Sequence, residues 1–156
     1  AHGFEQEAEK LFGQALRLRR GALTQLAIGL TYLQLGRVER ARQHFQRVLK
    51  TREPLLHATV GKLLIEAEQE EEAIPFLERA VAQDPLDSRA RLDLAWAYTF
   101  GPGDYARASD ELAEAERAAR ALGQLPDLAE IDTAKRMLEA LRMDAALGRP
   151  RRERRR

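Results

Sequence analysis

A triplet of small, large and small side chains recurs along this chain at one spacing, and that recurrence limits the fold more than any other feature. Ala8, Phe12 and Ala15 return as Ala41, Phe45 and Val48, as Ala73, Leu77 and Ala80, and as Ala108, Leu112 and Ala115, always at offsets of four and three. Such offsets place all three on one face of an α-helix and do not fit the period of two of a strand. Ahead of the last three triplets lies a second pattern: Ile28-Gly29 then Tyr32, Val60-Gly61 then Leu64, and Leu94-Ala95 then Tyr98. Each unit is therefore two helices, A and B. A unit of this size cannot bury its apolar face alone, so the units must stack.

The small residue of helix A has a physical purpose. Gly29, Gly61 and Ala95 let helices A and B approach until Phe45, Leu77 and Leu112 reach the A helices, each burial contributing roughly 1.5–3 kcal/mol. Periodicity predicts helices at about 4–20, 22–35, 38–51, 54–67, 71–83, 88–100, 105–122 and 127–147. Gly21, Gly36, Gly123 and Gly148 read as left-handed stops. Asp87-Ser88 and Asp104 read as starts, Pro54 as a first-turn proline, and Pro126-Asp127 with Glu130 as a capping box. In the last helix Leu128, Ile131, Ala134, Leu138, Leu141 and Ala145 form one stripe, with Glu130, Lys135, Arg136, Glu139 and Arg142 mostly outside it. That is the pattern of a solvating cap.

Across roughly residues 4–122 these patterns resemble the tetratricopeptide repeat family, whose helix A carries a small residue and an aromatic and whose helix B carries Ala, aromatic, Ala. Pro54 and Pro85 match its closing proline, and Gly36 and Gly103 its turn glycine. Three departures stand out. Glu68 replaces the turn glycine of the middle repeat, Pro75 enters the first turns of its helix B, and the Ala73-to-Ala108 step is one residue longer than the usual period of about 34. The extra residue is expected in the Gly101-Pro102-Gly103 turn. The resemblance implies an all-α, right-handed superhelical solenoid: a lone helix B, three A/B pairs and a cap over residues 1–148, followed by a basic, disordered tail at 149–156. The apolar face of the leading helix, with Phe4, Leu11, Phe12 and Leu16, is expected to be covered by upstream residues or by a second copy of the chain.

Little in the sequence supports catalysis. There is no cysteine, which removes disulfides, thiolate chemistry and Cys-based zinc sites and fits a reducing cytoplasm and a cysteine-poor periplasm equally. Ser88 and Ser109 are the only serines, and neither lies in a G-x-S-x-G frame. Gly61-Lys62 has Leu56 where a phosphate loop needs its first glycine. His2, His44 and His57 lie far apart in sequence and none has a second histidine at helical spacing, so packing or surface roles are expected. Glu70, Glu71 and Glu72 read as a solvated face at the positive end of a helix dipole. The chain is thus expected to be no enzyme and to hold no cofactor. No apolar run approaches the 18–20 residues of a membrane span, and residues 1–10 lack the order of a secretory signal.

The family resemblance implies that the A helices line a concave groove for a partner's peptide or helix. Its positions fall on Leu26, Leu30 and Leu33 in the first full repeat, Thr59, Lys62 and Ile65 in the second, and Arg89, Leu92, Asp93, Trp96 and Phe100 in the third. In members that clamp a C-terminal carboxylate, the first A helix supplies Lys and Asn where this chain has Leu26 and Leu30. An amphipathic helix therefore suits this apolar surface better than an acidic tail. A second function class rests on residues 149–156, six arginines and one glutamate. They give the tail +5, so that an overall +1 leaves −4 on the rest. Nucleic acid or another anion is the alternative partner there, ranked behind a solvated, disordered end.

Overall fold

The computed structural model describes residues 2–18 and 21–149. Among these the chain forms helices only: α1 (His2–Leu18), α2 (Ala22–Gln34), α3 (Val38–Val48), α4 (Pro54–Glu66), α5 (Glu70–Gln83), α6 (Ser88–Phe100), α7 (Tyr105–Leu122) and α8 (Leu125–Ala146). Helices α2/α3, α4/α5 and α6/α7 are the three A/B pairs. Residues 19–20, expected to end the first helix, lie outside the described residues, as do the side chains of Phe4, Ala8 and Leu16.

Most helix ends follow local chemistry. Asp87 Oδ1 accepts from Ala90 N–H at 2.9 Å and Asp104 Oδ1 from Arg107 N–H at 3.1 Å, capping α6 and α7. Pro54 stands at the start of α4. Gly36, Gly123 and Gly148 have φ of 69°, 68° and 65°, as left-handed stops require. Gly21 does not: its φ of −75° and ψ of 164° are extended, and it opens α2 as N-cap instead of closing α1. Glu68, standing in for the turn glycine, is held at φ 58°. The α6–α7 turn, residues 101–104, where the extra residue was expected, is one residue longer than the turns at 35–37 and 67–69, and α5, at 14 residues against 11 for α3, lengthens the step further. The expected capping box is absent. Leu125 and Pro126 already lie in α8, which needs no N–H from a proline in its first turn. Asp127 accepts the Ser88 hydroxyl at 2.5 Å and Glu130 pairs with Arg89, so both box residues bind α6.

The repeat positions form the core. Ala41, Phe45, Val48, Ala73, Leu77, Ala80, Ala108, Leu112 and Ala115 are all at most 2% exposed, and Tyr32, Leu64, Ala95 and Tyr98 are buried with them. The glycines are needed where they stand. A methyl group at Gly29 would lie 2.7 Å from Phe45 Cδ1, and one at Gly61 2.6 Å from Leu77 Cδ2, well inside contact distance.

Polar contacts tie the helices together both within pairs and from one pair to the next. His57 of α4 is fully buried, with Nε2 3.1 Å from the Val48 carbonyl at the end of α3 and Nδ1 2.9 Å from Gln83 Oε1 at the end of α5. Tyr98 of α6 donates its hydroxyl to Glu78 of α5 at 2.6 Å, and Arg91 of α6 pairs with Glu111 of α7 at 2.8 Å. His44 stacks on Tyr32, and burial, reinforced by Arg47, keeps its imidazole below the ordinary histidine range. Both described histidine side chains thus serve packing. At the leading end Phe12 meets Tyr32 edge to face, 5.1 Å between centroids, while Leu11 is exposed.

Curvature follows from which helices touch. The A helices contact each other in order, α2 with α4 and α4 with α6, and α6 then contacts α8. The B helices α3 and α5 meet only through side chains, the Arg42–Glu72 ion pair and Phe45 edge to face with Phe76 at 6.3 Å between centroids, so the B layer is more widely spaced and the A layer is the inner wall. Helix α8 occupies the place of a fourth helix A, packing on α7 and α6 through Ile131, Leu138 and Leu141. Ala145, expected in that stripe, is exposed, and its neighbour Asp144 is buried instead, bonded to Arg149 at 3.1 Å.

Candidate interaction groove

On the inner wall, three A-type helices enclose one cavity of about 660 Å³. Helix α4 contributes Lys62, Ile65 and Glu66, α6 contributes Arg89, Leu92, Asp93 and Trp96, and α8 contributes Ala129, Glu130, Thr133, Ala134 and Met137. Within each helix these residues recur at three and four, so one face of every helix turns inward. Ile65 and Leu92 are largely covered by their neighbours and form the floor. Trp96, half-buried, stacks on Phe100 with ring centroids 4.5 Å apart.

The charges are unevenly used. Arg89 is one turn before Asp93, the spacing at which an ion pair is favoured, yet its guanidinium pairs with Glu130 across to α8. Burial pushes the Asp93 carboxyl up to about 6, although Arg89 and Lys62 act in the opposite direction. Thr133 donates its hydroxyl to the Ala129 carbonyl of its own helix at 2.9 Å.

Of the expected groove residues, the structure gathers Lys62, Ile65, Arg89, Leu92, Asp93 and Trp96 around this cavity. Leu26 is buried in the core, Leu30 and Leu33 pack half-buried against it, and Thr59 bonds the Leu55 carbonyl at 2.7 Å; these, with Phe100, lie outside the cavity lining. Sequence reasoning missed the α8 wall. Helices α6 and α8 start 37 residues apart. Advancing Leu92, Asp93, Trp96 and Phe100 by that step reaches Ala129, Glu130, Thr133 and Met137, four residues that line the cavity. The register could have been carried over, but Asp132, where helix A wants a small residue, hides α8 from a search for the repeat.

Among the described residues no group of three or more His, Asp or Glu side chains is arranged to hold a metal ion, and no helix is long and apolar enough to cross a membrane. Residues 150–156 of the arginine-rich end lie outside the described residues.

Stacked helix pairs with an open inner wall define a helical-repeat protein of the protein-interaction class, a fold that is generally non-catalytic. Two sequence models, both described as Tetratricopeptide repeat, match residues 64–130 and 24–52, together more than half of the chain. The chain belongs to the tetratricopeptide repeat family. Among solved structures it is similar to the MamA RS-1 ArsTM double mutant, with a TM-score of 0.55 and 22% identity over 86% of this chain and 85% of that one. A second MamA structure, of a single-substitution mutant, aligns with a TM-score of 0.42 and 19% identity over 77% of this chain and 96% of that one. The first likeness agrees with the helical-solenoid fold. No curated protein sequence matches the chain.

Proposed function

We propose that this protein holds another protein, as an adaptor or assembly factor, by receiving an amphipathic helix of that partner in the groove between α4, α6 and α8. The observation that carries the reading is the lining itself: an apolar floor of Ile65, Leu92, Trp96, Ala134 and Met137 beneath a charged rim of Lys62, Glu66, Arg89 and Glu130. Amphipathic helices lay an apolar face into such grooves and are oriented by the charges at the edge. An extended peptide is a poorer occupant. Its backbone N–H and C=O groups need a row of partners, and this lining offers only scattered charged groups at the rim: Arg89 is engaged by Glu130, and the one hydroxyl, on Thr133, is spent on its own helix. A helix satisfies its own backbone and needs only the floor.

The test is affinity purification from the native source with wild type, with Thr133→Arg, which fills the cavity from α8, and with Ala82→Arg on the exposed outer side of α5. Partners retained by wild type and Ala82→Arg but lost on Thr133→Arg support the groove. Partners indifferent to Thr133→Arg place binding elsewhere.

A further inference from the structure

The groove contains a feature that apolar docking alone leaves unexplained. Asp93 lies recessed in the wall of α6, and among the described residues its carboxylate has no hydrogen bond and no ion pair. The charged groups around it are Arg89 and Asp87 at the start of α6, Lys62 on α4 and Glu130 on α8, with Glu66 of α4 in the same cavity lining. Neither cation pairs with it. Arg89 is engaged by Glu130, and Lys62, exposed at the rim, forms no ion pair among the described residues. A carboxylate withdrawn from water without a partner costs free energy, and a fold keeps it only where something else compensates. The α6 face around it otherwise presents Leu92 and Trp96, an apolar surface suited to the methylene stem of a long side chain.

We infer that Asp93 is the specificity determinant of this groove, receiving the ammonium or guanidinium of one lysine or arginine on the bound partner helix, whose apolar stem lies along Leu92 and Trp96. The inference rests on the groove reading above and adds the chemistry of the occupant: a helix with an apolar face and one cation at a fixed place on it. Charge complementarity excludes an acidic occupant at this point, because a second carboxylate beside Asp93 would be buried against a like charge. The protonation of Asp93 adds a second signature. A cation binds the ionised carboxylate, so affinity rises as pH increases from about 5 to 7.

A displayed library of helical peptides, with all outward positions varied, is selected on the full chain. The enriched peptides are then titrated into wild type, Asp93→Asn and Ala82→Arg, following the fluorescence of Trp96, the only tryptophan. The enriched pool should carry Lys or Arg at one constant offset from its apolar anchors. Asp93→Asn should weaken binding about 10- to 100-fold, and replacing the peptide's cation by Gln should cost the same on wild type and little more on Asp93→Asn. The pH dependence should vanish in Asp93→Asn, and Ala82→Arg, outside the groove, should leave both the affinity and the cation preference intact. Peptides that bind through apolar positions with no constant cation, or that bind Asp93→Asn as tightly as wild type, overturn the inference and leave the groove standing. A failure to enrich any peptide that perturbs Trp96 removes the groove reading as well.

Discussion

Adding one methyl group at Gly61 tests the packing of the repeat directly. The new Cβ would lie 2.6 Å from Leu77 Cδ2 and 3.2 Å from its Cδ1, where about 3.5–4.0 Å is comfortable. Leu77 is fully buried and cannot turn away without moving α5. Overpacking of this kind costs about 1–3 kcal/mol. Against it stands the better helix propensity of alanine, about 1 kcal/mol. Gly61→Ala should therefore lose up to about 2 kcal/mol, and Gly61→Leu more. Gly13 supplies the control, because it lies inside α1 with nothing within 4 Å of its would-be Cβ. The same substitution there should gain up to about 1 kcal/mol. Circular dichroism melting separates the two by sign, at roughly 2–4 °C per kcal/mol for a chain of this size. A Gly61→Ala variant that melts above wild type, as Gly13→Ala should, would refute the close approach of α4 and α5. In the double variant Gly61→Ala with Leu77→Ala, the two losses should not add, since the second removes the clash; the coupling should reach about 1 kcal/mol or more.

Three further outcomes follow from other positions. Glu68→Gly should stabilise by about 0.5–1 kcal/mol in urea unfolding, the relief of a left-handed residue less the entropy of a freer unfolded chain; a loss would mean that the Glu68 side chain outweighs the strain. His57→Leu should cost about 1–3 kcal/mol, measured by the same unfolding, by leaving Gln83 Oε1 without its partner, while the Val48 carbonyl keeps the Thr51 N–H and hydroxyl. Asp93 has a carboxyl raised in the folded protein to about 6, so the native state binds more protons than the unfolded one between about pH 4 and 6. Stability should fall by about 1–3 kcal/mol as pH rises through that window and stay lost above it. Asp93→Asn should abolish this slope and melt higher than wild type at pH 7.5; equal slopes would show that Asp93 is solvated.

The repeat was legible because its two requirements are local in sequence. Gly29 and Gly61 precede their Phe45 and Leu77 partners by the same 16 positions, and the offsets of four and three in helix B survive substitution of the aromatic by leucine. Turn geometry was less legible where a residue type serves two ends: Gly21 is an N-cap and Gly36 a left-handed stop, and only the surrounding backbone distinguishes them. The Asp127 and Glu130 pattern misled for a different reason, since a carboxylate three residues from another also serves contacts to a neighbouring helix, here to Ser88 and Arg89. The α8 wall of the groove was missed because α8 shares the groove register of α6 without its small-residue seam. The isolation of Asp93 is a tertiary fact, arising because Arg89 reaches α8 and leaves its own helix neighbour unpaired.

The absence of cysteine makes one footprint decisive, because any thiol introduced is the only one in the chain. Thr133→Cys places it in the groove and Ala82→Cys on the outer side of α5, and each is alkylated with and without the partner recovered by affinity purification. Binding should slow modification of the Thr133→Cys thiol by tenfold or more at about 10 Kd of partner and leave that of Ala82→Cys unchanged. Equal rates at Thr133→Cys with and without partner, or protection at Ala82→Cys alone, would contradict an inner wall built to hold a protein.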